Sequence, residues 1–128
     1  MTDYAVAGEL LVALSRARTS FDGDAWADLF TEGAEFHHDP FAPPLVGRNA
    51  LRADLLRASE AEEQVEFTIE RHWVVAPTVL AAWHLSYVHR TTRSRVRVAG
   101  FMTLEVASDG RIGRARWWYN RHETPAAR

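Results

Sequence analysis

The chain contains no cysteine, which excludes a disulfide framework and thiol chemistry. No apolar run reaches the ~18 residues of a transmembrane helix, and the first residues lack the basic n-region of a signal peptide. We therefore expect a cytoplasmic protein that makes no contact with a membrane. Lysine is absent as well, and all 15 basic residues are arginine. We attribute this to the amino-acid usage of the source and not to the function of the protein.

The composition is that of one globular domain. With 128 residues, of which 47% are apolar and five are tryptophan, the chain is long enough for a single core. We expect one domain over residues 1–128, frayed at 1–3 and 124–128. Residues 1–70 carry 5 Arg and 14 acidic residues, whereas residues 71–128 carry 10 Arg and 3 acidic residues. In the basic half, apolar residues alternate with other residues as they do in β-strands. We therefore expect the two halves to pack against each other with their charges facing water, and we do not expect nucleic-acid binding.

Apolar residues in the first half recur with the period of an α-helix. The spacing predicts one helix over residues 3–19, a short one that runs through Phe30, and a third over 48–59, with a strand from Ala34 to His38 before the third. From Val65 the period changes to two, which is typical of strands. The predicted strands are 65–75, 79–89, 95–107 and 111–122.

Segregated helices followed by a strand meander indicate an α+β fold with an antiparallel sheet. Long twisted strands curl, and helices on the concave face leave a cavity between the layers. We therefore predict three N-terminal helices packed on a curved antiparallel sheet that encloses a pocket.

Three ionisable residues, His37, His38 and Asp39, follow the first strand and precede Pro40. A carboxylate beside an imidazole in an apolar pocket can accept a proton from a carbon acid or from water, so these are our candidate catalytic residues. Adjacent strand residues point to opposite faces, so at most two of the three can share a site without a bulge. The alternative is that Asp39 caps the proline-rich loop by binding backbone amides, with both histidines exposed.

A mostly aromatic set of residues is expected to form the wall of the pocket. Such side chains either hold a flat apolar ligand or fill the space themselves. Asp54 on the third helix faces either the cavity or solvent, and we favour solvent. Metal-ligand residue types are present, but no H-x-x-x-H or H-E-x-x-H spacing occurs, so we expect no metal and no organic cofactor. The candidate ligand-binding residues are Trp26, Trp83, Leu85, Tyr87, Met102, Trp117 and Tyr119.

Four stretches of the chain resemble the nuclear transport factor 2-like superfamily, whose domains are cone-shaped α+β folds. They are DGDAWADLFTEGAEF, HDPFAPPLVGRNAL, VEFTIERHWVVAP and SDGRIGRARWWYN. The resemblance is strongest to the SnoaL-like polyketide cyclases and the Δ5-3-ketosteroid isomerases, and it covers Val6 to Glu123. It implies a shared pocket, while activities in the superfamily range from isomerases, cyclases, dehydratases and epoxide hydrolases to binding modules.

In the ketosteroid isomerases an Asp-Pro after the first strand supplies the general base, and Asp39-Pro40 stands at the similar place here. This chain has one extra residue before that position, so either His38 or Asp39 can point inward. The positions similar to the isomerases' oxyanion-hole Tyr and Asp are Leu14 and Met102, which donate no useful hydrogen bond. The resemblance therefore implies the pocket without the known isomerase mechanism.

These observations predict a small-molecule pocket protein of SnoaL-like type. Our first hypothesis is a cofactor-independent acid–base enzyme, an isomerase, cyclase, dehydratase or hydrolase, that acts on an apolar carbonyl- or hydroxyl-bearing substrate. Asp39 would be the base, with His38 or His37 as its partner. The alternative is a non-catalytic module that binds a ligand or a protein. The outer sheet face, which carries Trp118 and several arginines, predicts a homodimer contact.

Overall fold

The computed structural model describes residues 2–127, which form three helices and six strands. Within this range, no helix is long and apolar enough to cross a membrane. The α+β class predicted from the sequence is confirmed. The elements are α1 (Tyr4–Ser20), α2 (Gly23–Asp28), β1 (Phe30–His37), β2 (Leu45–Val46), α3 (Arg48–Ala61), β3 (Glu62–Val75), β4 (Thr78–His89), β5 (Arg95–Val106) and β6 (Ile112–Thr124).

Aspartates begin the first two helices. The Asp3 side chain accepts a hydrogen bond from the Val6 amide at 2.8 Å, and Asp22 accepts one from Ala25 at 3.0 Å, so each satisfies one of the free donors at a helix start. The second helix ends at Asp28, and the prediction that it runs through Phe30 is wrong. Phe30 pairs with Ile112 of β6, so tertiary pairing places this residue in the sheet.

The strand order of the sheet is β2-β1-β6-β5-β4-β3. The four long strands form the predicted antiparallel meander, but β1 runs parallel to β6. The prediction of an antiparallel sheet is therefore wrong for this pair. No hairpin joins β1 to β6, and the long intervening chain allows either direction.

Two irregularities in β3 help the sheet curve around the helices. The register with β4 shifts between Glu63 and Glu66, where Gln64 has a φ of 53°, and again between Ile69 and Arg71. Such bulges bend a strand and increase its twist. Helix α1 packs on this bent strand, and the Ser15 hydroxyl donates to the Phe67 carbonyl at 2.9 Å.

The core lies between the helices and the inner face of the sheet. Inward residues of β5 alternate with exposed ones, as the period of two predicted, and the stripe of α1 that faces the sheet is Ala7, Leu11, Leu14 and Ala17. Of the termini expected to fray, Met1 and Arg128 lie outside the described residues. Asp3 caps α1, and Thr124 is the last residue of β6.

Candidate active site

A cavity of about 190 Å³ lies between the helices and the inner face of the sheet. Side chains from all three helices and from the five longer strands line it. The cavity therefore depends on the complete fold rather than on one segment, and it lies where the sequence predicted a pocket.

Aromatic rings form much of the cavity wall. The rings of Trp83 and Trp117 lie 4.7 Å apart, and Trp83 stacks on Phe67 with a centroid distance of 5.6 Å and an interplanar angle of 5°. Six of the seven predicted wall residues line the cavity. The seventh, Met102, is fully buried in the core opposite Trp117 on the ladder and is absent from the cavity wall.

The end of β1 separates the two adjacent histidines. Phe36 is buried on the inner face, His37 points to the outer face, and His38 returns to the cavity. On the outer side, the His37 Nε2 atom lies 3.1 Å from the Glu35 Oε1 atom. Strand alternation therefore resolves the choice that the sequence left open, because only His38 has access to the cavity.

Asp39 lies outside the cavity, on the proline-rich loop. Its carboxylate is exposed and accepts a hydrogen bond from the Phe41 amide at 2.9 Å. This is the loop-capping arrangement that the sequence offered as the alternative to a catalytic role. The structure thus does not bring Asp39 and His38 together as a pair that faces one ligand.

A buried ion pair lies at the cavity instead. The Arg18 Nη2 atom donates to both carboxylate oxygens of Glu62, at 2.9 and 3.0 Å. Burial raises the pKa of Glu62, and the Arg18 guanidinium only partly offsets that effect. The sequence predicted the strand β3 only from residue 65, whereas β3 begins at Glu62.

A sequence signal for Arg18 was nevertheless available. Leu11, Leu14 and Arg18 are spaced i, i+3, i+7, so the arginine continues the buried stripe of α1. A charged residue on an apolar stripe needs a buried partner. The same kind of spacing marks Glu62, which follows Leu55 and Ala58 of α3 at i+7 and i+4 and lines the cavity with them.

Four buried nitrogen atoms around the cavity have no hydrogen-bond partner among residues 2–127. They are Arg18 Nη1, His38 Nδ1, Trp83 Nε1 and Trp117 Nε1, and all four side chains line the cavity. Buried polar groups are nearly always paired in folded proteins. Four such groups around one cavity therefore leave hydrogen-bonding capacity that water or a ligand can satisfy.

Further polar groups lie at the β6 side of the cavity. A hydrogen bond with the Tyr87 side chain raises the pKa of Arg121, and Glu123 adds to that effect from 2.9 Å. Glu123 in turn accepts a hydrogen bond from the Ser94 hydroxyl at 2.5 Å. Tyr87 and Arg121 line the cavity, so this network holds a tyrosine hydroxyl beside the ligand space.

Asp54, for which the sequence favoured solvent, is a half-exposed residue of the cavity lining. Its carboxylate lies 3.4 Å from the Arg57 guanidinium. Within the part of the chain that the structure describes, no three His, Cys, Asp or Glu side chains come together as a metal site requires.

Comparison with known proteins assigns the chain to a family. The sequence model of the SnoaL-like domain matches residues 11–115. The chain belongs to the SnoaL-like domain family. No curated protein matches the sequence.

Solved structures share the fold of this SnoaL-like domain at low sequence identity. One is a protein of ketosteroid isomerase-like fold from Catenulispora acidiphila in complex with trimethylamine, with 17% identity and a TM-score of 0.80 over 88% of this chain and 85% of that one. Another is SalBIII, an epoxide hydrolase/cyclase-like enzyme in pyran ring formation in salinomycin, with 20% identity and a TM-score of 0.82 over 94% and 95%. A third is a computationally designed 17-OHP binder, with 15% identity and a TM-score of 0.78 over 93% and 98%.

These similarities establish a nuclear transport factor 2-like α+β fold with a curved, unclosed six-stranded sheet. Leu14 and Met102, which the resemblance matched to oxyanion-hole positions, are both fully buried and do not line the cavity. Any hydrogen-bond donor for a ligand of this SnoaL-like domain must therefore come from other residues.

Proposed function

We propose that this SnoaL-like domain is a small-molecule enzyme that performs acid–base chemistry without a metal or an organic cofactor. The observation that carries the proposal is His38, whose imidazole lines an aromatic cavity and whose buried Nδ1 atom has no partner within residues 2–127. An imidazole exchanges protons near neutral pH, so it can act as a general base or a general acid.

The substrate we propose is an apolar molecule that carries a carbonyl or hydroxyl group. The aromatic wall suits an apolar body, and the unpartnered nitrogens suit a hydrogen-bond acceptor. Tyr87 or Tyr119, which both line the cavity, would orient that oxygen. Isomerisation, cyclisation, dehydration and hydrolysis all require a positioned proton acceptor, and all four are compatible with this arrangement.

His38 takes the proton-transfer role that the sequence divided among three residues. Asp39 and His37 are turned away from the cavity, so we propose supporting roles for them in the loop and on the outer face. Glu62 is the buried carboxylate of the cavity. Its carboxylate is paired with Arg18, so we propose that it holds Arg18 in the cavity wall and takes no part in proton transfer.

The test is a screen of small ketones for exchange of carbon-bound protons in D2O, together with thermal stabilisation by the same compounds. We expect at least one ketone both to stabilise the protein and to exchange faster with the protein than in buffer. His38→Gln should abolish the exchange and retain the stabilisation. Exchange that survives this substitution would contradict the role of His38.

A second candidate function is ligand binding without catalysis. The observation that favours it is that His38 has no carboxylate partner among the described residues. Glu62 is paired with Arg18, and Asp39 lies outside the cavity. One fold neighbour is a designed 17-OHP binder. Stabilisation by ketones without any exchange in the wild-type protein would select this function.

We also propose that the domain forms a homodimer through the outer face of the sheet. Trp73, Phe101 and Trp118 are 36–41% exposed there and form the outer aromatic patch, in which Trp73 lies 5.9 Å from Phe101. Exposed aromatic clusters of this kind are typical of contact surfaces. A second copy would cover them symmetrically.

A further inference from the structure

We propose that the indole N–H groups of Trp83 and Trp117 together bind one oxygen atom of the ligand, and that the ligand is a ketone about the size of one substituted ring. The inference rests on the proposed function in one respect, which is that the inner cavity holds the substrate. It adds to that function the oxygen-binding residues and the size class of the ligand.

Both indoles are buried donors that lack an acceptor. Trp83 is 2% exposed and Trp117 is 7% exposed, and neither Nε1 atom meets an acceptor in the described part of the chain. An indole N–H can only donate, so it needs an acceptor in every orientation of the ring. A water or a ligand oxygen that enters the cavity can remove this cost, since both side chains line the cavity.

The two rings are held in place before a ligand arrives. Trp83 stacks on Phe67, and Trp117 packs at 5.1 Å from Phe36. With their centroids 4.7 Å apart, both rings can contact one small molecule. Donors fixed by packing lose little entropy when they bind, so they favour affinity and orientation.

The size of the cavity limits the ligand. An engineered protein cavity of about 150 Å³ binds benzene, and pockets for drug-sized ligands span roughly 300–1,000 Å³. At about 190 Å³, this cavity encloses one ring with a short substituent. A fused multi-ring molecule would leave most of its rings outside.

The charges around the cavity favour a neutral ligand oxygen over an anion. Two guanidinium groups, Arg18 and Arg121, and two carboxylates, Asp54 and Glu62, line the cavity, so their formal charges balance. A carbonyl oxygen has two lone pairs and can accept from both indoles at once. A hydroxyl group would also need an acceptor for its own proton.

This arrangement fits proton transfer next to a carbonyl. His38 takes a proton from the carbon beside the carbonyl, the electron pair of that C–H bond forms a C=C bond, and the π pair of the carbonyl moves to oxygen. The indole N–H groups stabilise the negative charge on that oxygen. Return of the proton from His38 to carbon restores a neutral ketone, so no further reactant is required.

The experiment uses the full chain labelled with ¹⁵N and two probes. Phenylacetone carries one ring and one carbonyl, and ethylbenzene carries the ring without oxygen. Five indole N–H signals are expected from the five tryptophans. The variants Trp83→Phe, Trp117→Phe and Trp118→Phe each remove one signal and so assign it. Trp118 follows Trp117 on the same strand, points to the outer face and does not line the cavity, which makes Trp118→Phe a matched control for ligand affinity.

We expect phenylacetone to move the Trp83 and Trp117 indole proton signals downfield, as a new hydrogen bond does, and ethylbenzene to leave both without a downfield shift. Trp83→Phe and Trp117→Phe should each weaken phenylacetone binding about tenfold, and Trp118→Phe should not. Ethylbenzene should bind the two cavity variants at least as well as the wild type, because the smaller ring adds space. Equal shifts with both probes, or no downfield shift up to the solubility of phenylacetone, would overturn the inference.

A second readout separates this inference from the proposed function. Exchange of the carbon-bound protons of phenylacetone in D2O reports proton transfer by His38. Exchange without indole shifts would refute the oxygen-binding role and leave the proposed function intact. Indole shifts without exchange would support the oxygen-binding role while counting against the enzyme.

Discussion

Gly100 faces Trp83 across the β4–β5 ladder, and a β-carbon built on Gly100 would lie 2.9 Å from the Cζ2 atom of the Trp83 ring. The same added atom would lie 2.2 Å from the Trp118 carbonyl oxygen and 2.9 Å from the Tyr119 β-carbon. Real β-carbons do not approach other atoms so closely. The missing side chain at Gly100 therefore gives the Trp83 ring its place in the cavity wall.

The first prediction concerns this contact. Gly100→Ala should lower the free energy of unfolding by about 1–3 kcal/mol, the usual cost of overpacking, and should weaken phenylacetone binding because the Trp83 ring must shift. Denaturant unfolding and an NMR titration measure the two effects. Gly113→Ala is the matched control, since its added β-carbon would lie 3.8 Å from the Glu105 carbonyl oxygen, an ordinary contact. Equal effects of the two substitutions would show that Gly100 has no special role.

The second prediction concerns the pH dependence of the buried ion pair. Burial raises the pKa of Glu62 above the 4.5 of an unperturbed glutamate, against the opposing effect of Arg18. When folding raises the pKa of an acid, that acid stabilises the folded protein at every pH below its unfolded-state pKa. This contribution is lost as pH rises through the folded-state pKa. Glu62→Gln removes that contribution, because a glutamine side chain cannot ionise.

We therefore expect the stability of the wild type relative to Glu62→Gln, the margin between the two proteins, to fall as pH rises above 4.5, the pKa of an unperturbed glutamate. Denaturant unfolding of both proteins at several pH values measures the margin. Other groups that titrate in the same way in both proteins cancel in this difference. Glu60→Gln, at an exposed position of α3, controls for the loss of one carboxylate. A margin that grows with pH would mean that pairing with Arg18 outweighs burial.

The third prediction distinguishes loop capping from catalysis at Asp39. Asp39→Ala removes the acceptor of the Phe41 amide, so we expect a slightly lower melting temperature and an unchanged rate of ketone proton exchange. Calorimetry and exchange rates in D2O measure the two quantities. Loss of exchange with an unchanged melting temperature would instead make Asp39 part of the chemistry.

The sequence predicted much of the fold because period and spacing are local properties. The alternation from Val96 to Val106 is enough to identify a strand with one buried face. The parallel pairing of β1 with β6 was not predictable in this way, since residues far apart in the chain form it. No local pattern encodes such a pairing.

The site was predictable only where side chains alternate along strands. Trp83 and Trp117 follow from the pattern of β4 and β6, and counting from the buried Phe36 places His38 inward. Asp39 lies in a loop, where no alternation applies. Glu62 lies next to charged residues that are typical of a solvated segment, and the tertiary contact with Arg18 shows why it is buried instead.

The fourth prediction tests the proposed homodimer. Phe101→Asp places a charge in the outer aromatic patch and should convert a dimer into a monomer, because a buried unpaired charge is costly. Analytical ultracentrifugation measures the mass. Leu56→Asp is the matched control, since Leu56 is 61% exposed on α3, away from the sheet face. A monomeric wild-type protein, or a dimer that persists in Phe101→Asp, would contradict this interface.

The central claim is that His38, and not the neighbouring His37, performs proton transfer in the cavity. The most direct measurement compares phenylacetone proton exchange in D2O for the wild type, His38→Gln and His37→Gln. We predict a rate at least 100-fold lower for His38→Gln, the smallest usual contribution of a general base, and a wild-type rate for His37→Gln. Equal rates for all three proteins, or a loss confined to His37→Gln, would contradict the claim.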